Sequence, residues 1–470
     1  MLSDFISKQI LAAFPFEPTE EQRKLIQRLG MFILSVENDK AFLLKGYAGT
    51  GKTLIISALV RAMNALEQKT VLLAPTGRAA KVFASYARSP AFTIHKKIYS
   101  QKSMAEMRFQ LADNLSKNTI FIVDEVSMIS NSGLDASFGT GNLLDDLITY
   151  IYSGENCSMI LLGDTAQLPP VFQNQSPALE KIMLEGYGLT IYEFTLTNVV
   201  RQTLGSGILN EATRLRNKIQ AGGILANAPV FSSTFFPDIT RLQGIDLIDK
   251  IQQAYGEAGV EDVIVVTRSN KQANRYNNGI RSRVMMKEEE LTNGDLLLVT
   301  RNNYFWSEKL PDVDFIANGD VLEVTRIRKH KKMYGFRFAD LTLKSLDYGW
   351  EIDARVWLDS LQSESPEQMN KLTNDLFQAV AEDYPEITQK RKLYKKILES
   401  DYFNALQVKF AYAVTCHKAQ GGQWKKVFID NGFVKPEQID IEYYRWLYTA
   451  LTRATEQVYL VGFPDEWFEK

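Results

Sequence analysis

The sequence contains very little cysteine and histidine, with 2 and 3 residues respectively among 470. Cys157 and Cys416 lie far apart, and neither forms a zinc-binding spacing with the histidines. This composition excludes a disulfide-stabilised scaffold and is typical of a reducing compartment. The N-terminus lacks the pattern of a secretory signal, and no uncharged apolar run reaches the roughly 18 residues that span a bilayer. We therefore expect a cytoplasmic protein that does not associate with membranes.

Neither sign of charge predominates, because 54 lysines and arginines stand against 56 aspartates and glutamates. This balance neither indicates nor excludes binding to nucleic acid, since a strand in a groove needs only local basic charge. Two basic runs occur, at 326–332 and 390–396. Taken alone, each is more often a solvated face than a binding site.

Short apolar runs alternate with helical patterns through the first two hundred residues; they include "KAFLLKG", "TVLLAP", "TIFIVDE" and "SMILLGD". Such runs predict strands of a parallel sheet covered by helices. Similar runs return at 262–270 and 427–432 and predict a second α/β domain. Between about 290 and 360, aromatic and β-branched runs are separated by Asn-Gly and Gly turns, which predicts a small antiparallel barrel inserted into that domain.

The strongest motif is "GYAGTGKT", which lies between a predicted strand and a predicted helix. Its glycines allow backbone N–H groups to surround a phosphate at a helix N-terminus. We expect Lys52 to neutralise the β- and γ-phosphate oxygens of ATP, and Thr53 to bind Mg²⁺. The candidate nucleotide-binding residues of this loop are Gly46, Ala48, Gly49, Thr50, Gly51, Lys52 and Thr53.

Two further strands deliver polar residues. "FIVDEVSM" places Asp124 and Glu125 directly after an apolar run. We expect Asp124 to hold Mg²⁺ and Glu125 to orient and deprotonate the attacking water, although a lone Asp-Glu pair is usually a helix cap. In "LLGDTAQLPPV", Gln167 is expected to contact the γ-phosphate. The alternative for that segment is a turn stiffened by prolines.

The ordered set of motifs "PTEEQ", "GYAGTGKT", "LAPTGRAAK", "TIHKKI", "VDEVSM", "GDTAQLPPV", "VVRQ", "TCHKAQG" and "LYTALTRA" resembles superfamily 1 helicases of the RecD/Dda-like branch. The resemblance covers nearly the whole chain and implies two RecA-like domains. It assigns 1–200 to the first domain, with a short pin-like insertion at about 99–118. It assigns 201–285 and 405–470 to the second domain, and 286–404 to an SH3-like barrel with a helical segment.

The same resemblance implies roles for residues outside the phosphate loop. Gln22 is expected to recognise adenine, and Gln420 with Gly421 to face the nucleotide. Arg201 and Arg453 are expected to reach the γ-phosphate from the second domain, where an arginine typically contributes ~10³–10⁵ in rate. Many relatives carry a glutamate, proposed to touch the ribose, where this chain has Gln423.

For DNA, the resemblance implies contacts to phosphates rather than bases, from Pro75, Thr76, Arg78, Thr93, His95, His417 and Lys418. Phe109 is the bulky apolar residue at the centre of the predicted pin, although a core phenylalanine is commoner. Cys416 stands beside His417 but is interpreted as a small buried residue, because adjacent side chains on a strand point in opposite directions.

We therefore expect an ATP- and Mg²⁺-dependent DNA helicase that moves 5′ to 3′ on single-stranded DNA. The expected partners are single-stranded and forked or tailed duplex DNA, with single-strand-binding or recombination proteins as further candidates, and the expected state is a monomer. Two alternatives stay open: an RNA-directed helicase, and an ATP-driven module that remodels protein–DNA complexes without separating strands. A nuclease is not expected, since no compact Asp/Glu/Lys cluster occurs outside the ATP motifs.

Overall fold

The computed structural model describes residues 2–469 except 101–108, 132–137, 201–204, 223–227, 233–235, 311–312 and 314. In this part of the chain, the strands form two parallel sheets, a closed barrel and a two-stranded ribbon. The prediction of an α/β fold with two sheets and a β-rich insertion is confirmed. No helix among the described residues has the length and apolar character to cross a membrane.

The first sheet has six strands and lies in the N-terminal part of the chain. The strands of this part of the chain, including two that do not belong to the sheet, are β1 (Lys40–Gly46), β2 (Lys69–Ala74), β3 (Ala91–Thr93), β4 (Tyr99–Ser100), β5 (Gln110–Leu111), β6 (Thr119–Val123), β7 (Ser158–Gly163) and β8 (Thr190–Leu196). The sheet order is β3-β2-β6-β7-β1-β8, while β4 and β5 form the separate ribbon. Strands β6 and β7 are buried at every residue, as expected for strands with helices on both faces.

Helices cover both faces of this sheet. They are α1 (Leu2–Ala13), α2 (Glu20–Leu34), α3 (Lys52–Ala65), α4 (Gly77–Ala87), α5 (Ile94–Ile98), α6 (Leu143–Tyr152) and α7 (Lys181–Glu185). Two buried apolar clusters lie on opposite sides of the sheet, because alternate residues of β1 belong to different clusters: Leu43 to one and Phe42 to the other. The carboxyl ends of the strands thus meet at one edge, where parallel α/β sheets bind their ligands.

The remaining strands build the barrel and the second sheet. They are β9 (Ile239–Leu242), β10 (Val263–Thr267), β11 (Leu296–Val299), β12 (Val321–Met333), β13 (Phe336–Ser345), β14 (Glu351–Trp357), β15 (Leu406–Phe410), β16 (Ala413–Thr415), β17 (Trp424–Asp430) and β18 (Ala454–Val461). The second sheet has the order β16-β10-β17-β18-β9, and all its pairings are parallel. Its strands flank the barrel in sequence, as expected for an insertion.

The helices of this half are α8 (Gly207–Ala221), α9 (Leu247–Ala258), α10 (Asn270–Gly279), α11 (Pro366–Ala381), α12 (Lys390–Leu398), α13 (Cys416–Ala419) and α14 (Ile441–Leu451). Helix α14 contributes an almost continuous set of buried residues, from Tyr443 to Leu451. It packs against α8 and the second sheet, and its buried face reaches the first sheet as well.

Strands β11 to β15 close into a barrel. Its pairings are antiparallel except β14–β15, where the chain returns after α11 and α12 and runs parallel to its neighbour. The sequence did not predict this parallel pairing. Gly294 and Gly319 follow asparagines in turns before β11 and β12 and have φ of 75° and 99°, a left-handed conformation that glycine adopts without a Cβ clash.

The predicted pin region contacts the barrel through an aromatic cluster. Phe109 is 3% exposed, and its ring centroid lies 4.4 Å from that of Tyr304 and 5.2 Å from that of Phe138. Phe315 completes the cluster at 6.2 Å from Phe109. Burial on this scale favours the interpretation of Phe109 as a core residue over a strand-separating wedge. Residues 101–108 of the predicted insertion lie outside the described part of the chain.

Candidate functional site at the seam between the sheets

The phosphate-binding motif forms the turn between β1 and α3. Gly49 and Gly51 adopt φ of 77° and 87°, so the turn depends on glycine at both positions. Gly51 is the N-cap of α3, and the backbone N–H groups of the first helical turn have no acceptor within the helix. This geometry makes an anion site from backbone alone, with the helix dipole adding to it.

Lys52 and Thr53 are the first two residues of α3, directly after this turn. The Lys52 ammonium donates to the carbonyl oxygens of Gly46 and Tyr47, the latter at 2.9 Å. Thr50 is fully buried, and its hydroxyl donates to the same Tyr47 carbonyl at 2.8 Å. The loop therefore holds the lysine cation over its own concave side, where a phosphate chain would be neutralised.

Gln22 lies directly behind the phosphate loop. Its side chain completes a capping box at the start of α2, because Gln22 Oε1 accepts from the Thr19 N–H at 3.1 Å. Its Nε2 donates to the carbonyl oxygen of Thr50 at 3.1 Å. A Cβ on Gly51 would lie 2.6 Å from this Nε2, so the glycine also permits the close contact. The expected contact of Gln22 with adenine stays a prediction, while its contact with the loop is direct.

Asp124 and Glu125 follow β6, on the strand next to β7. The Glu125 N–H donates to Asp124 Oδ1 at 2.8 Å, and Glu125 adopts a left-handed φ of 53°. Removal from water and the neighbouring Glu125 raise the pKa of Asp124 to about 7, although Lys52 opposes the shift. A carboxyl group in this state is stabilised as the anion by an added cation.

Magnesium suits the oxygen donors at this position. Asp124 offers a carboxylate and Thr53 a hydroxyl, which are the ligand types that Mg²⁺ takes together with phosphate oxygens and water. Within the described residues, no group of three or more His, Cys, Asp or Glu side chains could hold a metal ion. The ligand types of Asp124 and Thr53 therefore suit Mg²⁺, whose binding here stays a prediction.

The turn after β7 brings Asp164 and Gln167 to the same edge. Asp164 is 1% exposed, and its Oδ1 accepts from the Ala166 N–H at 2.9 Å. Gln167 is 7% exposed, and its Oε1 is buried without a hydrogen-bond partner in the described part of the chain. Because an unpaired buried polar atom costs about 1–3 kcal/mol, this amide is available to a ligand.

Arg453 reaches this edge from the second sheet. Its Nη1 lies 3.9 Å from Glu125 Oε1, although the arginine is only 4% exposed. The Nε donates to the Thr449 carbonyl at 3.0 Å, which anchors the guanidinium at the end of α14. Arg453 therefore lies beside Glu125 across the seam, while its expected contact with the γ-phosphate stays a prediction. Arg201, its expected partner, lies outside the described residues.

Gln420 and Gly421 also cross the seam, towards two different loops. Gln420 Nε2 donates to the Leu168 carbonyl at 2.8 Å, on the turn that carries Gln167. Gly421 has φ of 74°, and a Cβ there would lie 2.7 Å from the Cβ of Ala79 at the start of α4. Gly421 thus contacts the segment expected to bind DNA, and its nucleotide-facing role stays a prediction.

The residues expected to bind DNA flank the start of α4 and of α5. Thr76, which follows Pro75, and Thr93 are the N-caps, and their hydroxyls accept from the N–H groups of Ala79 and Lys96, both at 3.2 Å. Both helices therefore point their positive ends to the same edge of the sheet. His95 lies on α5, with its ring centroid 4.9 Å from that of Phe138.

Arg78 is less free than its predicted role requires. Its guanidinium lies 4.1 Å from the ring centroid of Trp424, which belongs to β17 of the second sheet. Burial lowers its pKa, and Asp347 of the barrel opposes this shift. Lys81, one helical turn further on, donates to the Leu346 carbonyl of the barrel at 2.8 Å. The barrel and the second sheet thus close over the start of α4.

His417 and Lys418 lie on the short helix α13. The structure corrects the assumption of a strand here, because β16 ends at Thr415. His417 is exposed, whereas burial and the nearby Lys409 lower the pKa of Lys418 to about 8. Burial likewise lowers the pKa of Lys409, on β15 of the barrel, to about 8. Sequence analysis missed Lys409, whose positive charge contributes to the lowered pKa of Lys418.

The same segment contains Cys416 and Gln423. Cys416 is 1% exposed, and burial raises the pKa of its thiol to about 12, which disfavours a reactive thiolate. Gln423 Oε1 accepts from the Tyr86 hydroxyl at 3.1 Å, on α4 of the first domain. In this structure the glutamine therefore contacts the outer part of the seam.

Comparison with known proteins identifies the arrangement. Residues 18–226 match the family described as an AAA domain, and residues 410–461 match the family described as a UvrD-like helicase C-terminal domain. These matches together span more than half of the chain and include both sides of the seam. Together with the relatives described next, the two matches support a superfamily 1 helicase of the RecD/Dda type.

Individual relatives of this helicase family are distant. The ATP-dependent DNA helicase dda of Enterobacteria phage T4 is 23% identical, over 89% of this chain and 93% of that protein. The ATP-dependent RecD2 DNA helicase of Deinococcus radiodurans is 23% identical over 96% of this chain, which spans 50% of that protein. Protein R530 of Acanthamoeba polyphaga mimivirus is 24% identical, over 89% of this chain and 94% of that protein. The first parallel sheet lies within the region that matches the AAA domain, and three strands of the second sheet, β16 to β18, lie within the UvrD-like match.

Two residues of the helicase seam were missed by sequence reasoning. Asp164 directly follows an apolar strand, as Asp124 does, so the same pattern could have predicted its place at the site. Tyr448 carries no such signal, because it lies within the apolar pattern of α14. Its hydroxyl accepts from the Ala48 N–H at 2.9 Å and donates to Asp164 Oδ2 at 2.6 Å.

Proposed function

We propose that the chain is an ATP-dependent DNA helicase that moves 5′ to 3′ on single-stranded DNA. The observation that carries the proposal is the position of Arg453, 3.9 Å from Glu125 across the seam. A carboxylate on one domain and an arginine on the other contribute to one site, so hydrolysis there depends on how the domains are placed.

The positions of the side chains support the following roles in hydrolysis. Lys52 neutralises the phosphate chain within the loop, and Glu125 orients and deprotonates the attacking water. Arg453 stabilises the negative charge that develops on the transferred phosphoryl group. Asp124 and Thr53 would hold Mg²⁺, which would offset the negative charge of the phosphates. The buried, unpaired Gln167 Oε1 supports a role for that amide beside the γ-phosphate.

The DNA strand is proposed to pass over the starts of α4 and α5 and over α13. Helix N-termini at Thr76 and Thr93 and the cations of Arg78 and Lys418 suit phosphate oxygens. Such contacts ignore base identity, which fits a motor that must step along any sequence. Opening one base-pair step costs ~1.4 kcal/mol on average, a modest load for one hydrolysis cycle.

We infer a domain division at 1–200, 201–285 with 405–470, and 286–404. The strands of both parallel sheets fall within these limits, which supports the division, whereas the last barrel strand, β15 (Leu406–Phe410), extends the barrel beyond residue 404. We also infer that the five-stranded barrel is of the SH3-like type, on the basis of its strand number and closure.

Strand separation on tailed duplexes tests the function. The protein is mixed with ATP, Mg²⁺ and a DNA duplex carrying either a 5′ or a 3′ single-stranded tail, and Lys52→Ala is the control. We expect unwinding of the 5′-tailed duplex, little unwinding of the 3′-tailed one, and none by the variant. Preference for the 3′ tail would contradict the polarity.

Two other outcomes point to the alternatives. ATP hydrolysis stimulated by RNA but not by DNA oligonucleotides would indicate an RNA-directed enzyme. Stimulation by DNA without unwinding of either duplex would indicate a translocase that remodels protein–DNA complexes.

A further inference from the structure

The hydroxyl group of Tyr448 joins the two RecA-like domains at the phosphate loop. It accepts from the Ala48 N–H at 2.9 Å and donates to Asp164 Oδ2 at 2.6 Å. Tyr448 is 1% exposed and lies on α14, whereas both of its partners lie on the first domain. The same hydroxyl therefore accepts a hydrogen bond from one loop of the nucleotide site and donates a hydrogen bond to another.

The protonation states support this direction of the hydrogen bonds. Burial and the nearby Asp164 raise the pKa of Tyr448 well above its ordinary value, so the phenol keeps its proton. Burial also raises the pKa of Asp164, while Lys52 and the Tyr448 hydrogen bond oppose that shift. Asp164 thus lies within the electrostatic reach of both the loop lysine and the phenol.

Helix α14 reaches the same edge at two further points. Thr449 Oγ1 accepts from the Leu168 N–H at 2.8 Å, on the turn that also carries Asp164. Arg453, at the end of the helix, faces Glu125. The position of one helix is consequently set by the phosphate loop, by the turn after β7 and by the catalytic carboxylate.

Resting on the proposed function, we propose that Tyr448 is a positioning residue that couples occupation of the phosphate loop to the placement of Arg453. Phosphate oxygens accept stronger, charge-assisted hydrogen bonds than a neutral phenol does. A triphosphate in the loop therefore competes with Tyr448 for the Ala48 N–H, while the bond to Asp164 keeps α14 attached to the first domain. The exchange gives the helix two arrangements, one for each state of the loop.

Tyr448→Phe tests this role, because it removes the hydroxyl and keeps the ring. The matched control is Tyr443→Phe on the same helix. Tyr443 is also 1% exposed, but its hydroxyl donates to Asn431 Oδ1 at 2.6 Å, within the second domain. Both variants lose a buried phenol hydroxyl. Tyr448→Phe removes two hydrogen bonds that cross the seam, whereas Tyr443→Phe removes one hydrogen bond within the second domain.

The readout is the coupling between nucleotide and DNA, measured as the ratio of the Kd for a single-stranded DNA oligonucleotide without and with a non-hydrolysable ATP analogue. Since allosteric coupling typically amounts to 5–150-fold, we expect Tyr448→Phe to reduce the ratio by about 5-fold or more. The DNA-stimulated kcat should fall while KM for ATP changes little. Tyr443→Phe should keep the wild-type ratio.

Asp164→Asn provides a second variant if Tyr448→Phe does not fold. It keeps an acceptor for the phenol but removes the charge, and we expect a reduced coupling ratio again. Equal ratios for wild type, Tyr448→Phe and Asp164→Asn would overturn the proposal while leaving the helicase function intact. A wild-type protein whose ATP hydrolysis ignores DNA would instead overturn the proposed function itself.

Discussion

The nucleotide-facing and DNA-facing sides of the seam use their side chains differently. On the nucleotide side, Glu125 and Arg453 come from different domains and meet directly, and Gln167 keeps a buried oxygen unpaired. On the DNA side, Arg78 is stacked on Trp424, and the barrel covers the start of α4. On the proposed nucleotide side, charged and unpaired groups converge, whereas the proposed DNA side is closed by protein contacts.

This difference indicates how the two ligands act on the seam. A nucleotide can bind to groups that already converge. A DNA strand that uses Arg78 has to replace the contact with Trp424, so it must alter the packing between α4, the barrel and the second sheet. We therefore expect DNA binding to cause the larger structural rearrangement. We expect ATP hydrolysis to depend more strongly on single residues.

The largest expected effect belongs to Arg453→Ala. Loss of an arginine that stabilises the transferring phosphoryl group should lower kcat by roughly 10³–10⁵-fold, measured by steady-state ATP hydrolysis with saturating single-stranded DNA. Arg445→Ala is the control, because Arg445 lies on the same helix and donates to the Asn174 carbonyl of the first domain. Similar losses in both variants would show that general packing of α14, rather than the Arg453 charge, supports turnover.

The next effect is expected from Glu125→Gln. Removing a general base typically costs about 10²–10⁴-fold, so kcat should fall by that factor. Binding of a fluorescent ATP analogue should stay within a few-fold of wild type, since Lys52 and the loop amides remain. Hydrolysis at the wild-type rate would contradict the role of Glu125 and leave the nucleotide side without its base.

A smaller effect, on DNA affinity, is expected from Lys418. Burial lowers its pKa to about 8, so the ammonium that binds phosphate is lost as the pH rises from 7 to 9. Affinity for single-stranded DNA, measured by fluorescence anisotropy, should therefore fall over this range. In Lys418→Gln the fall should be weaker, and the salt dependence should decrease by about one phosphate contact.

Two further variants sharpen this test. Lys409 shares the lowered pKa of about 8, and Lys409→Gln in the Lys418→Gln background should remove most of the remaining pH dependence. Lys425→Gln is the control, since Lys425 is paired with Asp262 at 2.8 Å, which raises its pKa. An unchanged pH profile in Lys418→Gln would place the DNA elsewhere.

The smallest effect, on thermal stability, is expected at Asp320, which directly precedes β12 of the barrel. Asp320 is 3% exposed, and burial raises its pKa to about 7. Because the folded-state pKa exceeds the unfolded one, ionisation destabilises the fold as the pH rises from about 4 to 7. Asp320→Asn should therefore raise Tm at pH 8 by about 2–4 °C, measured by thermal unfolding, and the gain should disappear near pH 4. A gain independent of pH would exclude ionisation as its cause.

The parts of the fold that sequence predicted are those set by local patterns. Apolar runs such as "TIFIV" and "SMILLG" became the buried strands β6 and β7, and the Gly-rich turn between β1 and α3 took its left-handed glycines. The polar residues that end these strands were found because parallel strands end at a common edge. The Asn-Gly turns similarly indicated the barrel.

The parts that were missed depend on contacts between distant positions. Tyr448 meets Ala48 across 400 residues, and its place in the apolar pattern of α14 hides its hydroxyl. The stacking of Arg78 on Trp424 likewise needs both domains in place. No spacing rule within a single segment reports such pairs.

The most direct measurement is the steady-state rate of ATP hydrolysis by the wild-type protein across a range of single-stranded DNA concentrations. If a nucleotide held between Lys52 and Arg453 is coupled to DNA on the other side of the seam, the rate should rise at least ~10-fold and saturate with the oligonucleotide. A rate that is the same with and without DNA would contradict this coupling.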